Sequence, residues 1–536
     1  RVETVNMGVA QGALISPIFY NIMVHDINEV KLKNAHITLY ADDLALWSNE
    51  NYKNLKSPYI QKLVCNRFQS NVDRIVEYLK LNGFDLSAEK TVFMVFNRSR
   101  FQRHNYYIKI DNHKIHSSSQ VKYLGVIIDA SLTWREHVKH LITKTNQVWN
   151  LLKTLKNTEG ANSKKNLVQT VRALVRSRLL YGQEAYFAAS ASTLAKLQAR
   201  ECQFLRYALD LPRGVPQDIV YREVGWLPLE IERNLKVAQY VLRAGTVDNA
   251  ADAELEIHFD NANDAQEIAR RQKTPKICSR MISIAQYTED LYAQASVSRK
   301  DITKIPAHFF PPWKLEKLQI RTNLGQWNKS DNALLLATIA KTKIDSEFRH
   351  AFQIYTDGSR TETGEVGCAF HIPGIKVTKQ FRLNNGISIF SAELYAILMA
   401  VSYVVDLPHS IPDVVILTDS RSALEALQNL TGNRRDMVLE IQQLINQLHY
   451  RGSRVTFQWI PSHVGISGNE AADVAAKLGT SLPSVSNNIG LTVSEATSKL
   501  RNIVWAKWKT RYETLATAKG WIEPTVSSEG TFPKFP

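Results

Sequence analysis

Cysteine is scarce in this chain, which has four in 536 residues. Because the four share no paired spacing, the sequence favours neither a disulfide framework nor a zinc knuckle and is typical of a reducing compartment. Long apolar runs are missing as well, since none approaches the roughly 20 residues that span a bilayer, and no signal peptide opens the chain. We therefore predict a soluble intracellular protein, nuclear or cytoplasmic, without a membrane partner. The cysteines are Cys65, Cys202, Cys278 and Cys368.

An excess of acidic residues is also absent. Lys and Arg number 66 against 51 Asp and Glu, which gives a net charge of +15. This balance favours a polyanionic partner, and nucleic acid is the natural candidate. A hydrophobic content of 44% is enough for ordinary cores, and the length predicts about three domains. No feature of the sequence indicates a particular protein partner.

Four carboxylates occur in local sequences that suit a shared site: Asp357, Glu393, Asp419 and Asp473. The segments 353–356 and 414–418 are predicted to be short buried strands, and an Asp follows each of them. The carboxyl ends of such strands face the crevice in which open α/β sheets bind ligands. We therefore expect Asp357 and Asp419 to meet at one edge of a sheet.

Glu393 is expected near the start of a helix. Apolar residues follow it at spacings of three and four, so its side chain can project from the first turn toward the same edge. Four acids brought together can hold two Mg²⁺ ions about 3.5 to 4 Å apart, a geometry suited to phosphodiester cleavage. The alternative for Asp419 is that Asp419 and Ser420 merely cap the following helix. The helical apolar residues are Leu394, Ile397, Leu398, Val401 and Val404.

Residues from about 350 to 480 resemble a type 1 ribonuclease H domain. The family's four metal carboxylates fall on Asp357, Glu393, Asp419 and Asp473, and its mobile histidine falls on His463. The resemblance rests also on the run Trp459-Ile460-Pro461-Ser462-His463 and on the signature Gly468-Asn469-Glu470-Ala471-Ala472-Asp473. It implies an α/β mixed sheet with flanking helices.

This resemblance also implies an activity. The domain would cut the RNA strand of an RNA/DNA hybrid with two Mg²⁺ ions, with Mn²⁺ as an alternative. Asp357 would bridge both ions, Glu393 and Asp419 would complete one site, and Asp473 would complete the other. Glu393 would also accept hydrogen bonds from the RNA 2′-hydroxyl, and His463 would shuttle protons during product release.

A second resemblance lies in the first part of the chain. The run Tyr40-Ala41-Asp42-Asp43 resembles the metal-binding hairpin of a reverse transcriptase palm, although an Asp pair at a hairpin tip is also ordinary turn chemistry. Gln11 and Gly12 belong to a run that matches the nucleotide-pocket motif of that family. Polymerase followed by ribonuclease H resembles the reading frame of a jockey-like retrotransposon that lacks long terminal repeats.

The polymerase half is expected to be incomplete. The pocket motif begins within the first ten residues of the sequence, and the family needs a further Asp on an earlier palm strand. We therefore expect a truncated copy in which Asp42 and Asp43 lack a metal-sharing partner, so that this polypeptide would not extend a primer on an RNA template.

The resemblance and the residue patterns together predict a multi-domain chain. We predict a partial α+β reverse transcriptase palm over 1–130, a helical thumb-like region over 131–245, a connector of uncertain order over 246–345, the ribonuclease H domain over 346–480, and a helical and disordered tail over 481–536. Basic residues of the thumb-like region could track a phosphate backbone, and the alternative is a solvated basic face. These residues are Lys164, Lys165, Arg172, Arg176 and Arg178.

Two other classes of function stay open. The first is a catalytically silent retrotransposon remnant that only binds nucleic acid. The second is a transposase or integrase of the same fold, which would cut duplex DNA with fewer acids. Comparing cleavage of RNA/DNA hybrid with cleavage of duplex DNA separates these classes.

Overall fold

The computed structural model describes residues 13–48, 57–96, 106–246, 284–304, 317–324, 332–429, 432–486 and 488–520. The chain divides into two compact units, one formed by 1–182 with 189–217 and the other by 183–188 with 218–536. Among the described residues, no helix has both the length and the apolar character that crossing a membrane requires. Cys65, Cys202 and Cys368 are buried free thiols, and Cys278 lies outside the described residues.

The first unit begins with small sheets and continues with helices. Three antiparallel strand pairs form, β1 with β2, β3 with β4 and β5 with β6. A core that includes Cys65, Val72, Phe93 and Tyr106 joins the long second helix to the β3 hairpin. The elements are α1 Ser16–Met23, β1 Ala35–Tyr40, β2 Asp43–Ser48, α2 Pro58–Leu81, β3 Tyr107–Ile110, β4 His113–His116, β5 Gln120–Tyr123, β6 Val126–Asp129, α3 Arg135–Lys144, α4 Asn146–Lys156, α5 Lys164–Val171 and α6 Ala191–Leu209.

The helical part of this unit follows the apolar periodicity of the sequence. The apolar residues between Trp134 and Leu155 lie on two helices, α3 and α4, which are separated at Thr145. Ser163 caps the start of α5, since its side chain accepts a hydrogen bond from the backbone N–H of Asn166. Beyond α5 the helix continues through a π-helical segment, Arg172–Arg176, and a last turn, Ser177–Leu179.

The second unit is built around a six-stranded mixed sheet in the order β10-β9-β8-β11-β12-β7. Strands β10, β9 and β8 pair antiparallel, whereas β8, β11, β12 and β7 pair parallel. The elements are α7 Gln217–Val224, α8 Leu229–Ala244, α9 Ile284–Gln294, β7 Gln319–Arg321, α10 Ala333–Glu347, β8 Phe352–Arg360, β9 Val366–Ile372, β10 Val377–Leu383, α11 Ile389–Val405, β11 Asp413–Thr418, α12 Arg421–Gln428, α13 Arg435–Tyr450, β12 Arg454–Trp459, α14 Ser467–Thr480 and α15 Val493–Lys519, with short helices at Gln183–Tyr186 and Pro373–Ile375.

Helices cover both faces of this sheet. A Cβ at Gly468 of α14 would lie 2.3 Å from the ring of Tyr355 on β8, and a Cβ at Gly358 of β8 would lie 2.7 Å from the backbone nitrogen of Glu393 on α11. Because Tyr355 and Gly358 are three residues apart on one strand, they face opposite sides. Helices α11 and α14 therefore pack on opposite faces of β8, as the predicted α/β fold requires.

Segments outside 346–480 also belong to this unit. The stretch 246–345, where the sequence carries little signal, contributes β7, which pairs with β12 from Thr456 to Gln458. In the tail, Val504, Trp508 and Tyr512 are buried on α15, in agreement with a packing face. Residues 247–283 and 521–536 lie outside the described part of the chain.

Candidate metal centre

Asp357 and Asp419 lie at the same edge of the sheet. The parallel pairing of β8 with β11 ends at Thr356 and Thr418, so the next residue of each strand is one of these acids. The prediction for β8 was wrong in one respect: the strand does not end before Asp357 but continues to Arg360, because Asp357 pairs with Ala369 of the antiparallel neighbour β9. The acid therefore sits on rigid strand backbone.

The helix that follows Asp419 is capped by the next residue, Ser420. The hydroxyl of Ser420 accepts a hydrogen bond from the backbone N–H of Ala423 at the start of α12, so Ser420 is the N-cap. The carboxylate of Asp419 accepts a hydrogen bond from the buried Asn469 side chain at 3.2 Å. The indole N–H of Trp459 donates to the backbone oxygen of Asp419, also at 3.2 Å. Ser420 is therefore the residue that caps α12, and the Asp419 carboxylate contacts Asn469 instead.

Glu393 reaches the same edge from the helix. It is the fifth residue of α11 and is 8% exposed. The backbone N–H of Gly358 donates a hydrogen bond to its carboxylate, and the absence of a side chain at Gly358 lets the helix approach the strand this closely. The second carboxylate oxygen of Glu393, Oε2, is buried, and the described residues offer it no hydrogen-bond donor.

Three carboxylates converge at this place. One oxygen each from Asp357, Glu393 and Asp419 lies within 4.8 Å of the others. Burial, and then the charges of Asp419 and Asp473, raise the pKa of Asp357 from 3.8 to about 7. Burial, followed by the charges of Asp357 and Asp419, also raises the pKa of Glu393 well above its usual range. The centre is therefore an electrostatically strained cluster of acids.

Asp473 stands beside this cluster rather than within it. Its charge acts on both Asp357 and Glu393, but it is not one of the three acids whose oxygens lie within 4.8 Å. Its carboxylate is paired with Lys477, one turn further along α14, at 2.7 Å. This pairing raises the pKa of Lys477 above its ordinary value.

His463 lies on the loop that leaves the same sheet edge. Ile460 follows β12 and donates its backbone N–H to the oxygen of Thr418 at 3.0 Å, which fixes the start of this loop next to Asp419. His463 is exposed and has a φ of 53°, in the left-handed region that costs a non-glycine residue energy. Its exposure and the position of its loop are compatible with a side chain that reaches substrate.

The residues of the centre fit a divalent cation. All ligands that they offer are carboxylate oxygens, which are the ligands that Mg²⁺ and other hard cations take. A buried, unpaired Glu393 Oε2 is also costly unless a cation or donor meets it. A cation would relieve the repulsion among the acids, whose buried carboxylates otherwise retain protons.

Asp42 and Asp43 lie at the tip of the β1–β2 hairpin, as the sequence predicts. Tyr40 pairs with Asp43, and Ala41 in the turn has a φ of 51°. Both acids are exposed. Among the described residues no third metal-binding side chain joins them within ligand distance. Gln11 and Gly12 lie outside the described residues.

The predicted basic residues of the first unit are not equivalent. Lys164, Lys165 and Arg172 are exposed, and Arg178 donates to the backbone oxygen of Lys144. The prediction that Arg176 contacts a phosphate backbone is wrong, because Arg176 is buried and lies 3.7 Å from the fully buried Glu201. Its guanidinium satisfies an internal charge and is not available to a phosphate backbone.

Sequence reasoning missed several residues that shape the centre. Asn469 holds Asp419, and Gly358 and Gly468 permit the close approach of α11 and α14 to β8. Asn469 and Gly468 belong to the signature that carries the resemblance, yet the resemblance gives neither of them a role. The available signal was a glycine on the same element as an acid in two cases, Gly358 beside Asp357 on β8 and Gly468 ahead of Asp473 on α14.

Comparisons with known proteins agree with this geometry. The family described as RNase H matches residues 349–481, and the family described as reverse transcriptase (RNA-dependent DNA polymerase) matches residues 2–128. The chain contains a ribonuclease H domain and a reverse transcriptase region. The metal-centre acids all lie within the ribonuclease H segment.

Similar proteins occur among mobile elements. A probable RNA-directed DNA polymerase from transposon BS of Drosophila melanogaster is 21% identical over 239 residues, which cover 44% of this chain and 26% of that protein. The RNA-directed DNA polymerase from mobile element jockey of Drosophila funebris is 27% identical over 242 residues, covering 42% of this chain and 25% of that protein. A Pol polyprotein from the type-1 element R1 of Nasonia vitripennis is 24% identical over 233 residues, covering 42% of this chain and 66% of that protein.

The resemblance to jockey-like retrotransposon polypeptides is thereby confirmed. The matched part spans about a quarter of the BS and jockey proteins. Reverse transcriptase and ribonuclease H regions both imply a nucleic-acid partner, as the net charge of +15 indicates.

Proposed function

We propose that the ribonuclease H domain hydrolyses the RNA strand of RNA/DNA hybrids, using divalent metal ions held by Asp357, Glu393, Asp419 and Asp473. The observation that carries this proposal is the convergence of three carboxylate oxygens within 4.8 Å at the carboxyl edge of parallel strands. Two Mg²⁺ ions, or Mn²⁺ in their place, would stabilise the charge that develops on the phosphodiester oxygens.

Each acid has a distinct part in this proposal. Asp357 lies on β8, and its carboxylate interacts with the charges of both Asp419 and Asp473, so it would be the acid that both ions share. Glu393 and Asp419 would hold one ion, and Asp473, which is paired with Lys477, would hold the other. Glu393 also accepts a hydrogen bond from the 2′-hydroxyl of the RNA strand, which distinguishes RNA from DNA. Asn469 keeps the Asp419 carboxylate oriented through the hydrogen bond at 3.2 Å.

His463 moves protons in the proposed reaction. Its imidazole is exposed on a loop that starts beside Asp419, so it can meet the water or the leaving oxygen of a bound hybrid. General acid and base help of this kind contributes roughly 10² to 10⁴ in rate. We therefore assign it the role of proton shuttle, which accelerates turnover without holding the ions.

The domain boundaries are part of the proposal. We keep 346–480 as the ribonuclease H domain, preceded by a palm region over 1–130, a thumb-like region over 131–245 and a connector over 246–345, and followed by a tail over 481–536. The full chain is nevertheless the right material for testing activity, because β7 and α15 both join the second unit.

The test compares the full chain with Asp419→Asn on four substrates: RNA/DNA hybrid, single-stranded RNA, duplex RNA and duplex DNA. We expect Mg²⁺-dependent cleavage of the RNA strand of the hybrid alone. Asp419→Asn should abolish Mg²⁺-dependent cleavage, because it removes a metal charge at almost unchanged volume. His463→Ala should slow cleavage by roughly 10² to 10⁴.

Three outcomes would count against the proposal. Equal rates for Asp419→Asn and the parent would contradict the metal assignment. Hybrid binding without cleavage would favour the silent nucleic-acid-binding remnant, and cleavage of duplex DNA in preference to hybrid would favour a transposase or integrase activity.

A further inference from the structure

Three helices of the second unit begin at one buried ion pair. Arg434 is 2% exposed and occupies the N-cap position of α13 with a φ of 59°. Glu495 is 7% exposed and is the third residue of α15. Their side chains are joined at 2.9 Å, from Nη2 of Arg434 to Oε2 of Glu495. Ser388, the N-cap of α11, contacts the same carboxylate.

The two oxygens of Glu495 serve two different helices. Oε2 accepts from the backbone N–H of Thr492 at 2.9 Å, which completes the capping box of α15 itself. Oε1 accepts three hydrogen bonds at 2.7 Å, from the backbone N–H of Ser388, the hydroxyl of Ser388 and the hydroxyl of Ser391. One carboxylate therefore caps both α15 and α11.

The sequence of helix α11 lacks a carboxylate that could cap its own N-terminus. In a capping box the third residue of a helix is Glu or Gln, whose side chain reaches back to the N-cap backbone N–H. The third residue of α11 is Ser391, whose hydroxyl cannot act as that long acceptor. Glu495 supplies the missing carboxylate, and Nε of Arg434 donates to the Ser391 hydroxyl at 2.8 Å.

The capped turn is the turn that carries a ligand of the metal centre. Glu393 follows Ser391 by two residues, or about 200° around the helix, so the two side chains leave α11 on nearly opposite sides. One side is fixed by Glu495 and Arg434, and the other meets β8 at Gly358, where no room remains for a Cβ. Movement of the first turn of α11 would displace Glu393 relative to Asp357 and Asp419.

We propose that Glu495, together with Arg434, is a positioning residue of the metal centre that sets the place of Glu393 by capping α11 from the C-terminal helix. The inference rests on the proposed function in that Glu393 is taken to bind the ion. It also makes α15, which lies beyond the segment 349–481 matched by the ribonuclease H family, part of the working nuclease.

The test measures metal binding separately from catalysis. The melting temperature of the full chain is followed against Mg²⁺ concentration without substrate, and the Mg²⁺ dependence of hybrid cleavage is measured in parallel. Glu495→Gln should raise the Mg²⁺ concentration at half-effect by roughly 10-fold in both measurements, the size seen when groups that orient metal ligands are changed. Saturating Mg²⁺ should restore most of the cleavage rate.

Two variants on the same helix serve as controls. Glu513→Gln changes an exposed carboxylate of α15 and should leave both Mg²⁺ midpoints unchanged. Val504→Ala removes buried atoms about 13 Å further along the helix axis, so it should lower the metal-free melting temperature without moving the midpoints. If Glu495→Gln behaved like Val504→Ala, the role of Glu495 would be structural only and the inference would be overturned.

A milder variant covers the case in which Glu495→Gln does not fold. Ser391→Ala removes the hydroxyl that joins Glu495 and Arg434 while leaving their ion pair, and it should raise the Mg²⁺ midpoint by roughly 3-fold, a smaller effect than neutralising the carboxylate. An unchanged midpoint in a folded Ser391→Ala would refute the inference. If the parent protein binds Mg²⁺ but does not cleave hybrid, the proposed ribonuclease activity is refuted and the positioning role of Glu495 is not. If Mg²⁺ does not stabilise the parent protein, both proposals are refuted.

Discussion

Asp357 and Glu393 place two carboxylates in a nearly dry environment. They are 6% and 8% exposed, and burial together with neighbouring acids raises the pKa of Asp357 to about 7. Ionised carboxylates so close together repel each other and lack water. Without a cation, the folded state is therefore least stable at alkaline pH, where burial and mutual repulsion oppose the loss of protons from these carboxyl groups.

The first prediction concerns the pH dependence of stability without metal. A folded pKa of about 7 against an ordinary value of 3.8 for Asp357 means that the folded state holds its proton more tightly than the unfolded state. The proton on Asp357 therefore contributes fully to the free energy of unfolding below about pH 4. This contribution decreases as the pH rises to about 7 and is absent at higher pH. In EDTA, Asp357→Asn should therefore stabilise the protein at pH 8 by on the order of 2 to 4 kcal/mol, and by less at pH 5.

The measurement is urea unfolding of the parent and variant at pH 5 and pH 8. Asp413→Asn is the matched control, because Asp413 is an exposed residue at the start of β11, and it should show no such pH-dependent difference. Excess Mg²⁺ at pH 8 should stabilise the parent and not Asp357→Asn. A variant that is less stable than the parent at pH 8 in EDTA would mean that the buried acids do not repel as described.

At the scale of elements, glycines decide how closely the two flanking helices approach β8. The start of α14 rests on the Tyr355 ring at Gly468, and the first turns of α11 rest on Gly358. Since α14 carries Asn469 and Asp473 and α11 carries Glu393, this packing sets the distances among the acids. A change in how these helices pack on β8 would therefore also change the geometry of the metal centre.

The second prediction follows from the space at Gly468. A Cβ there would lie 2.3 to 2.6 Å from three atoms of the Tyr355 ring, so Gly468→Ala should shift the ring or the helix and destabilise the unit by roughly 1 to 3 kcal/mol. Hybrid cleavage should fall as well, because Asn469 and Asp473 move with the helix. Gly374→Ala, at a site with nothing within 4 Å of the added Cβ, should change stability by less than about 0.5 kcal/mol. Equal melting temperatures for the two variants would contradict this account.

Over the full chain, the metal-centre acids and the candidate nucleic-acid-binding residues lie in different units. The metal centre lies entirely in the second unit, whereas the exposed basic residues of α5 and the following π-helical segment lie in the first. Lys164, Lys165 and Arg172 present charge to solvent, and Arg176 instead neutralises Glu201 inside the unit. Substitutions of these basic residues and of the metal-centre acids therefore change different units.

The third prediction concerns the salt dependence of hybrid binding by the full chain. If Lys164, Lys165 and Arg172 neutralise phosphates, reversing all three to Glu should reduce the slope of log affinity against log salt by roughly 0.9 for each duplex phosphate that is no longer neutralised. Lys62→Glu, an exposed change on α2, should leave the slope unchanged. Arg176→Gln should instead lower stability by about 3 to 5 kcal/mol, because it removes the positive charge beside the buried Glu201.

An unchanged slope in the triple variant would assign these residues to an ordinary solvated face. The slope is measured by fluorescence anisotropy with a labelled hybrid between about 50 and 200 mM salt, the range over which counterion release changes affinity most visibly. Cleavage at low salt serves as the check that the second unit of the variant is folded.

The local parts of the centre could be predicted from residue patterns. The Val-Val-Ile-Leu run of β11 ends before Asp419, the apolar spacing after Glu393 forms α11, and Tyr40 to Asp43 form a hairpin tip. These predictions depend on periodicities of two and 3.6 and on turn chemistry, which neighbouring residues fix without help from the rest of the chain. The family resemblance then supplied the grouping of the four acids.

The distant groups that complete these parts could not be predicted from those patterns. β8 continues past Asp357 because β9 pairs with it, Arg176 is buried because Glu201 lies opposite, and α11 is capped by Glu495, 107 residues beyond Ser388. No periodicity records such interactions, because hydrogen bonds and ion pairs between remote segments depend on how whole elements pack. The sequence therefore determined the acids and their local elements, and packing determined how those acids are held.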